Sequence, residues 1–358
     1  MGEHVRAGTL DVWVERRGTG PDVLLIAGLG DPAEAWQYQL DGLADRYRLT
    51  AFDNRGAGRT PLPAGPFSVA TMADDAAALL RALEVPAAHV AGFSGGSVIA
   101  QELALRHPGL VNSLVLISTW ARPDPFMRGV AEFLRWLPDS APSERAFLEA
   151  FYLWIYTPRG HADGTVEKII EEVLAFPHKP STEAIQRTLD AFLAHDTAGR
   201  LAGIAAPTLV LAGGQDMITP PRHGQAVADG IPGARFEVLP EEAHQLFQEV
   251  PDLFNARVDA FWREAVPRPR RLCRAPAAQA ARGGERGRLA LQRLPPPAVA
   301  PVPVHGRPQA LAELDLRGVA HPPEQRVVQR VTPVVPLAVL DVGHHLPVRA
   351  AAFEQRPD

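Results

Sequence analysis

The chain has 358 residues, 36 Lys/Arg against 41 Asp/Glu for a formal charge of −5, and 46% hydrophobic residues. That is enough for two to three domains, or for one large α/β domain with additions, and it excludes a chain too polar to build a core. The charge excludes a nucleic-acid protein held by a broad basic face, and the single cysteine, Cys273, excludes an internal disulfide framework or a cysteine-based zinc site. Met1-Gly2-Glu3-His4-Val5-Arg6 has no basic-then-apolar pattern, and no run of about 18 apolar residues occurs, so a cytoplasmic chain without a membrane partner is expected.

In chain order, Leu10 to Arg16 alternates and predicts an antiparallel strand at a sheet edge. Val23-Leu24-Leu25-Ile26 is a short apolar run ended by Gly28-Leu29-Gly30, which predicts a buried strand running into a tight loop. Arg48 to Phe52, His89 to Phe93, Ser113 to Ile117 and Thr208 to Leu211 repeat that pattern. Between them, Thr71 to Leu83 and Val98 to Arg106 have helical patterns, the second ended by His107-Pro108-Gly109. Strands alternating with helices predict an α/β fold, a mostly parallel central sheet with helices on both faces.

The alternation breaks between Trp120 and Arg200, where prolines divide a helical stretch rich in large apolar residues. An inserted helical cap over the carboxyl ends of the strands is expected there, where open α/β sheets bind ligands. Trp120, Phe126, Met127 and Trp154 are its candidate pocket residues, although most such aromatics form a cap's own core. The expected domains are therefore a core of residues 1–119 and 201–266, a cap of 120–200, and a tail of 267–358. The tail holds 15 of the 35 prolines and 14 Arg against seven Asp/Glu, a net +7. It has a single aromatic residue, Phe353, so a loosely ordered, non-catalytic segment is expected. A frameshift or read-through origin, or a basic accessory segment docking on the acidic remainder, are the alternatives.

Gly92-Phe93-Ser94-Gly95-Gly96 is a G-x-S-x-G sequence after a predicted strand and before a predicted helix. Such a turn is so sharp that side chains two residues either side of the serine would strike the neighbouring strand and helix. It presents Ser94 at a helix amino terminus, where the dipole favours developing negative charge. A serine hydroxyl is a poor nucleophile without a base, and the base needs an orienting group. Of the 12 histidines, His244 is the candidate base, in a loop between the alternating strand Arg235 to Leu239 and a terminal helix from Pro251 to Glu264. Asp216, in the loop after Leu209-Val210-Leu211, is the favoured acid, with Asp124 as its rival. Glu241 and Glu242 are expected to be solvated.

The order Ser94, Asp216, His244 and the segments Ile26 to Gly30, Phe52 to Thr60, Gly92 to Gly96 and Gly213 to Asp216 resemble the α/β-hydrolase superfamily, in its capped esterase, lactonase and peroxidase-like branch. The helix Ile99 to Ala104 is similar to that of enol-lactonases. The resemblance implies an α/β-hydrolase fold and a serine hydrolase of carboxylic esters or lactones, and the aromatic content of the cap favours a mainly apolar small molecule as substrate. It also implies an oxyanion hole made by the backbone N–H groups of Leu29 and Gly95. The same machinery in that superfamily also performs C–C bond hydrolysis and perhydrolysis, and a slow-turnover ligand receptor is a further alternative. Many relatives have His-Gly where this chain has Ala27-Gly28, and Met where it has Gly95, which predicts more room beside the serine. Asp53-Asn54-Arg55-Gly56 is expected to be a structural turn. No metal and no cofactor are expected: His344-His345 lies in the tail, and Ala33 replaces the third glycine of a dinucleotide fingerprint.

Overall fold

A computed structural model describes residues 2–265; the tail beyond Pro267, with Cys273, His344 and His345, lies outside the described residues. The strands are β1 (Glu3–Ala7), β2 (Leu10–Arg17), β3 (Asp22–Ile26), β4 (Arg48–Phe52), β5 (Ala88–Phe93), β6 (Val111–Ile117), β7 (Thr208–Gly213) and β8 (Arg235–Leu239). They form one sheet in the order β1-β2-β4-β3-β5-β6-β7-β8. β1 and β2 pair antiparallel, as do β2 and β4, and every other pairing is parallel. The sheet edge is thus β1, and β2 lies one strand inside it, a correction to the expected edge strand Leu10 to Arg16. β1 escapes a periodicity reading because Glu3 and His4 are both exposed.

Between the strands lie α1 (Gln37–Leu43), α2 (Val69–Ala82), α3 (Gly95–Arg106), α4 (Pro125–Ser140), α5 (Glu144–Tyr152), α6 (Pro158–Ala162), α7 (Thr165–Ala175), α8 (Thr182–Leu193) and α9 (Pro221–Gly230). α10 (Leu246–Glu249) and α11 (Pro251–Ala265) close the described chain. α2 is capped by Ser68, whose side chain accepts from the Thr71 N–H in a capping box.

Period-two alternation sends strand side chains to opposite layers. Leu24, Ile26, Val90, Leu114 and Leu116 face a core built with α2 and α3. Val23, Leu25, Ala91, Phe93 and Ile117 face a second core, with Trp36 and Leu40 before it and Phe254, Val258 and Trp262 of α11 behind it. Both faces are covered, which is why the central strands read as unbroken apolar runs. α4 to α8 lie between β6 and β7 in the chain, and Leu148, Tyr152, Ile155, Tyr156, Val166, Ile169 and Ile170 make a separate cluster there. Strand order reverses between β3 and β5, so the loop after β3 and the end of β5 face the crevice where such sheets bind ligands.

Candidate active site

Ser94 follows β5 directly and is the N-terminal flank of α3, with φ 49° and ψ −119°. Side chains at positions 92 and 96 are forbidden there. A methyl group on Gly92 would lie 2.3 Å from the Gly96 carbonyl oxygen, and one on Gly96 would lie 2.1 Å from that of Ile26. Helix α3 starts at Gly95, three residues before the periodicity begins. The turn is tied down from behind. Ser97 Oγ donates to the Ser94 carbonyl at 2.5 Å and lies 2.8 Å from Thr119 Oγ1, and Gln101 Nε2 donates to Thr119 Oγ1 at 2.8 Å.

The loop after β8 brings His244 to the serine. Its Nδ1 lies 2.8 Å from Asp216 Oδ2, and its Nε2 lies 3.0 Å from Ser94 Oγ. Burial pushes the Asp216 carboxyl up, but the His244 imidazole and the Thr219 hydrogen bonds outweigh it and hold the group below the usual carboxylate range. An ionised carboxylate only accepts, so His244 carries its proton on Nδ1 and Nε2 accepts from the Ser94 hydroxyl. Thr219 Oγ1 donates to Asp216 Oδ2 at 2.8 Å, and the Ile218 and Thr219 N–H groups donate to Oδ1 at 2.9 and 2.8 Å. Ser118 Oγ donates to the His244 carbonyl at 3.0 Å, and the Phe93 ring packs edge-on to the imidazole at 5.0 Å. Sequence reading missed Thr219; its signal is a hydroxyl three residues after a loop aspartate.

Asp124 is engaged elsewhere. It caps α4 by accepting from the Met127 N–H at 2.8 Å, and it pairs with Arg222 at 2.8 Å and His223 at 3.1 Å. Glu242 is not solvated as expected: it is buried and accepts from Arg159 of α6 at 2.6 Å, which couples the helical insert to the loop carrying His244. A positive partner removes the penalty that makes a lone buried carboxylate rare.

Gly28-Leu29-Gly30 runs from β3 beside Phe93, with the Gly30 backbone at φ +71°. Asp53 fixes this region by accepting from the Ala33 N–H at 2.6 Å and the Arg59 N–H at 2.7 Å, and Asn54 Nδ2 donates to the Ala27 carbonyl at 3.2 Å. Gly95 does not leave the expected room. A methyl group there would lie 2.2 Å from the ring of Phe192, which α8 lays over the turn. Trp120 and Met127 are buried in the same core as Phe192, and Trp120 meets its ring edge-on at 6.2 Å. Phe126 is 45% exposed, and Trp154 packs against Phe133 at 5.5 Å within the insert. Phe192 is thus the aromatic brought to the serine turn, and the glycine at 95 is the signal that could have revealed it. Among the described residues no helix is long and apolar enough to cross a membrane, and no group of three or more His, Cys, Asp or Glu could hold a metal ion.

An eight-stranded, mostly parallel sheet with a glycine-flanked serine at the end of a central strand defines a hydrolase class, and residues 21–250 match the alpha/beta hydrolase fold family. The chain belongs to that family. It is 37% identical over 259 residues to a protein of Azorhizobium caulinodans that carries the provisional name carbamate hydrolase RutD, covering 72% of this chain and 97% of that one. Among solved structures, a thermophilic esterase from Thermogutta terrifontis is 27% identical with a TM-score of 0.63, covering 74% of this chain and 98% of that one. The enol-lactonase from Burkholderia xenovorans LB400 shares the fold, at 23% identity and a TM-score of 0.64, over 74% of this chain and 100% of its own. Hydrolase activity is the coarse function these relationships support.

Proposed function

We propose that this protein is a serine hydrolase cleaving carboxylic esters or lactones through an acyl-enzyme. The hydrogen-bonded series Ser94–His244–Asp216, at 3.0 and 2.8 Å, carries the reading. Ser94 Oγ attacks the substrate carbonyl while His244 Nε2 takes its proton, and Asp216 stabilises the imidazolium that forms. The backbone N–H groups of Leu29 and Gly95 bind the oxyanion, each worth on the order of 10²-fold in rate. His244 returns the proton to the leaving alcohol oxygen, and water reverses the sequence to release the acid. The insert of residues 120–200 acts as the cap, closing an apolar pocket to which Trp120, Met127 and Phe192 contribute. The likeness to an esterase over 98% of its length supports the ester. A second reading, carbamate hydrolysis by the same steps, is favoured by the 37% identity to the RutD relative.

The test is steady-state turnover of a panel of short aryl esters, aliphatic esters, lactones and carbamates, with Ser94→Ala as control. Ester or lactone kcat/KM above that for carbamates, lost in the control, supports the first reading. The reverse order supports the second, and unchanged turnover in the control rejects both.

A further inference from the structure

Helix α3 carries Ser97 and Gln101 four residues apart, hence on one face, and both are fully buried. Gln101 Nε2 donates to Thr119 Oγ1 at 2.8 Å and to the Trp120 carbonyl at 3.0 Å. A carbonyl only accepts, which fixes the amide: Nε2 faces Trp120, and Oε1 faces Thr197 Oγ1 at 2.6 Å. Thr197 therefore donates. It follows α8, where the chain returns from the insert, and its N–H donates to the Ala121 carbonyl at 3.0 Å. One side chain thus holds both the segment leaving the core for the insert and the segment coming back. An apolar side chain of the same volume would fill the site without the cost of burying an amide, so packing does not call for glutamine.

The proton count gives the series a direction. The Ser94 carbonyl accepts from the Ser97 N–H at 2.9 Å and from the Ser97 hydroxyl at 2.5 Å. That uses the only proton on Ser97 Oγ, so the Thr119 hydroxyl, 2.8 Å away, donates to it. The order is Thr197, Gln101, Thr119, Ser97 and the Ser94 carbonyl, each donating to the next, and such series strengthen one another in a dry interior. The Ser94 carbonyl and the Gly95 N–H belong to one planar trans peptide group and point in opposite directions. Fixing the carbonyl therefore fixes the N–H. As the first residue of α3, Gly95 has no acceptor for that N–H within the helix. A hydrogen bond accepted by the carbonyl also polarises the amide, which makes its N–H a stronger donor.

We propose that Gln101 is a positioning residue of the oxyanion hole. Through Thr119 and Ser97 it aims the Gly95 N–H, and by accepting from Thr197 it makes that aim depend on how the insert is seated. The proposal rests on the hydrolytic reading of Ser94, with Gly95 as an oxyanion donor.

The test compares Gln101→Met, which keeps the side-chain volume and removes the amide, with Thr197→Val and Thr197→Ser, which lose and keep the first hydroxyl. Gln101→Met and Thr197→Val are expected to lower kcat for esters about tenfold with KM within about twofold, and Thr197→Ser to restore it. A matched trifluoromethyl ketone and its alcohol separate aim from packing. Ser94 Oγ adds to the ketone carbon, its proton passes to His244, and the ketone oxygen becomes the anion; the alcohol forms no oxyanion. The ketone should bind about tenfold more weakly to the two variants, and the alcohol within about twofold of wild type. A loss carried by KM, equal weakening of ketone and alcohol, or unchanged kcat in both variants overturns the proposal. If Gln101→Met does not fold, the Thr197 pair carries the same comparison.

Ser94-Gly95 is the only Ser-Gly pair in the chain, so joint isotopic labelling of serine carbonyl carbon and glycine nitrogen gives one NMR signal for this peptide. Ser97→Ala removes the last link and sets the direction in which the signal moves. Gln101→Met should move it the same way, and a signal that stays or moves the other way overturns the relay. A wild type that neither turns over esters nor binds the ketone rejects the hydrolytic reading, and the NMR signal then decides the relay by itself.

Discussion

The ring of Phe192 occupies the place that a side chain on residue 95 would fill, with only 2.2 Å between it and a methyl group at that position. Residue 95 is the first of α3 and Phe192 belongs to α8, so the contact locks the insert onto the serine turn. Both sides are buried. The glycine is therefore set by the partner above it as well as by the turn below.

Gly95→Ala should destabilise the protein by about 1–3 kcal/mol through overpacking and displace the turn that holds Ser94. Adding Phe192→Ala to that variant should restore much of the turnover, because the methyl group then has space. Urea midpoints and ester kcat/KM for the two single variants and the double variant check this. Strict additivity of the two losses would show that the residues do not compete for one volume.

Asp216→Asn should lower kcat about 10⁴-fold, because the amide would favour the wrong imidazole tautomer. Asp124→Asn should leave kcat within a few-fold, since asparagine still caps α4 and only the pairs with Arg222 and His223 are lost. Steady-state kinetics of the two variants decide the matter. An inactive Asp124→Asn beside an active Asp216→Asn would move the acid to the earlier strand end.

Much of this was legible because the chemistry is local. The G-x-S-x-G turn, the strand ends and the aspartate loop each occupy a few consecutive residues; chain order admits both Asp124 and Asp216, and the place of Asp216 in the loop directly after a strand favours it. What was not legible depends on pairs distant in sequence. Glu242 looks like a solvated loop residue until Arg159, 83 positions away, is seen to neutralise it. Phe192 lies in a helix whose exposed and buried positions alternate as in any amphipathic segment. β1 and α1 escaped for another reason: one is short and largely exposed, and the other continues a four-residue turn from Ala33 to Trp36 with no side-chain cap.

His89 provides a pH test of the core. It is buried, its Nδ1 lies 2.7 Å from Ser113 Oγ, and burial pushes its pKa down to about 4 from the ordinary 6.5. The unfolded chain therefore binds more protons between those values, and this group's contribution to stability falls as pH drops from 6.5 toward 4. His195 acts in the same direction, whereas Asp31, raised to about 6, acts in the opposite one below that pH. Comparison with His89→Gln isolates the term. The stability difference between wild type and variant should shift against the wild type by about 1 kcal/mol per pH unit across that window. Urea unfolding at pH 7, 6 and 5 measures it, and a difference that does not change with pH would show that His89 takes up its proton in the folded state.

The central claim is that Ser94 is a nucleophile activated by His244, and covalent labelling reads it most directly. An alkyl fluorophosphonate reacts by attack of the serine oxygen on phosphorus with loss of fluoride, leaving a stable adduct. Intact-protein mass spectrometry with peptide mapping should find one adduct, on Ser94, absent from Ser94→Ala and formed at least about 10³-fold more slowly in His244→Ala. Labelling of another residue at the wild-type rate, or undiminished labelling of Ser94→Ala, would contradict the account.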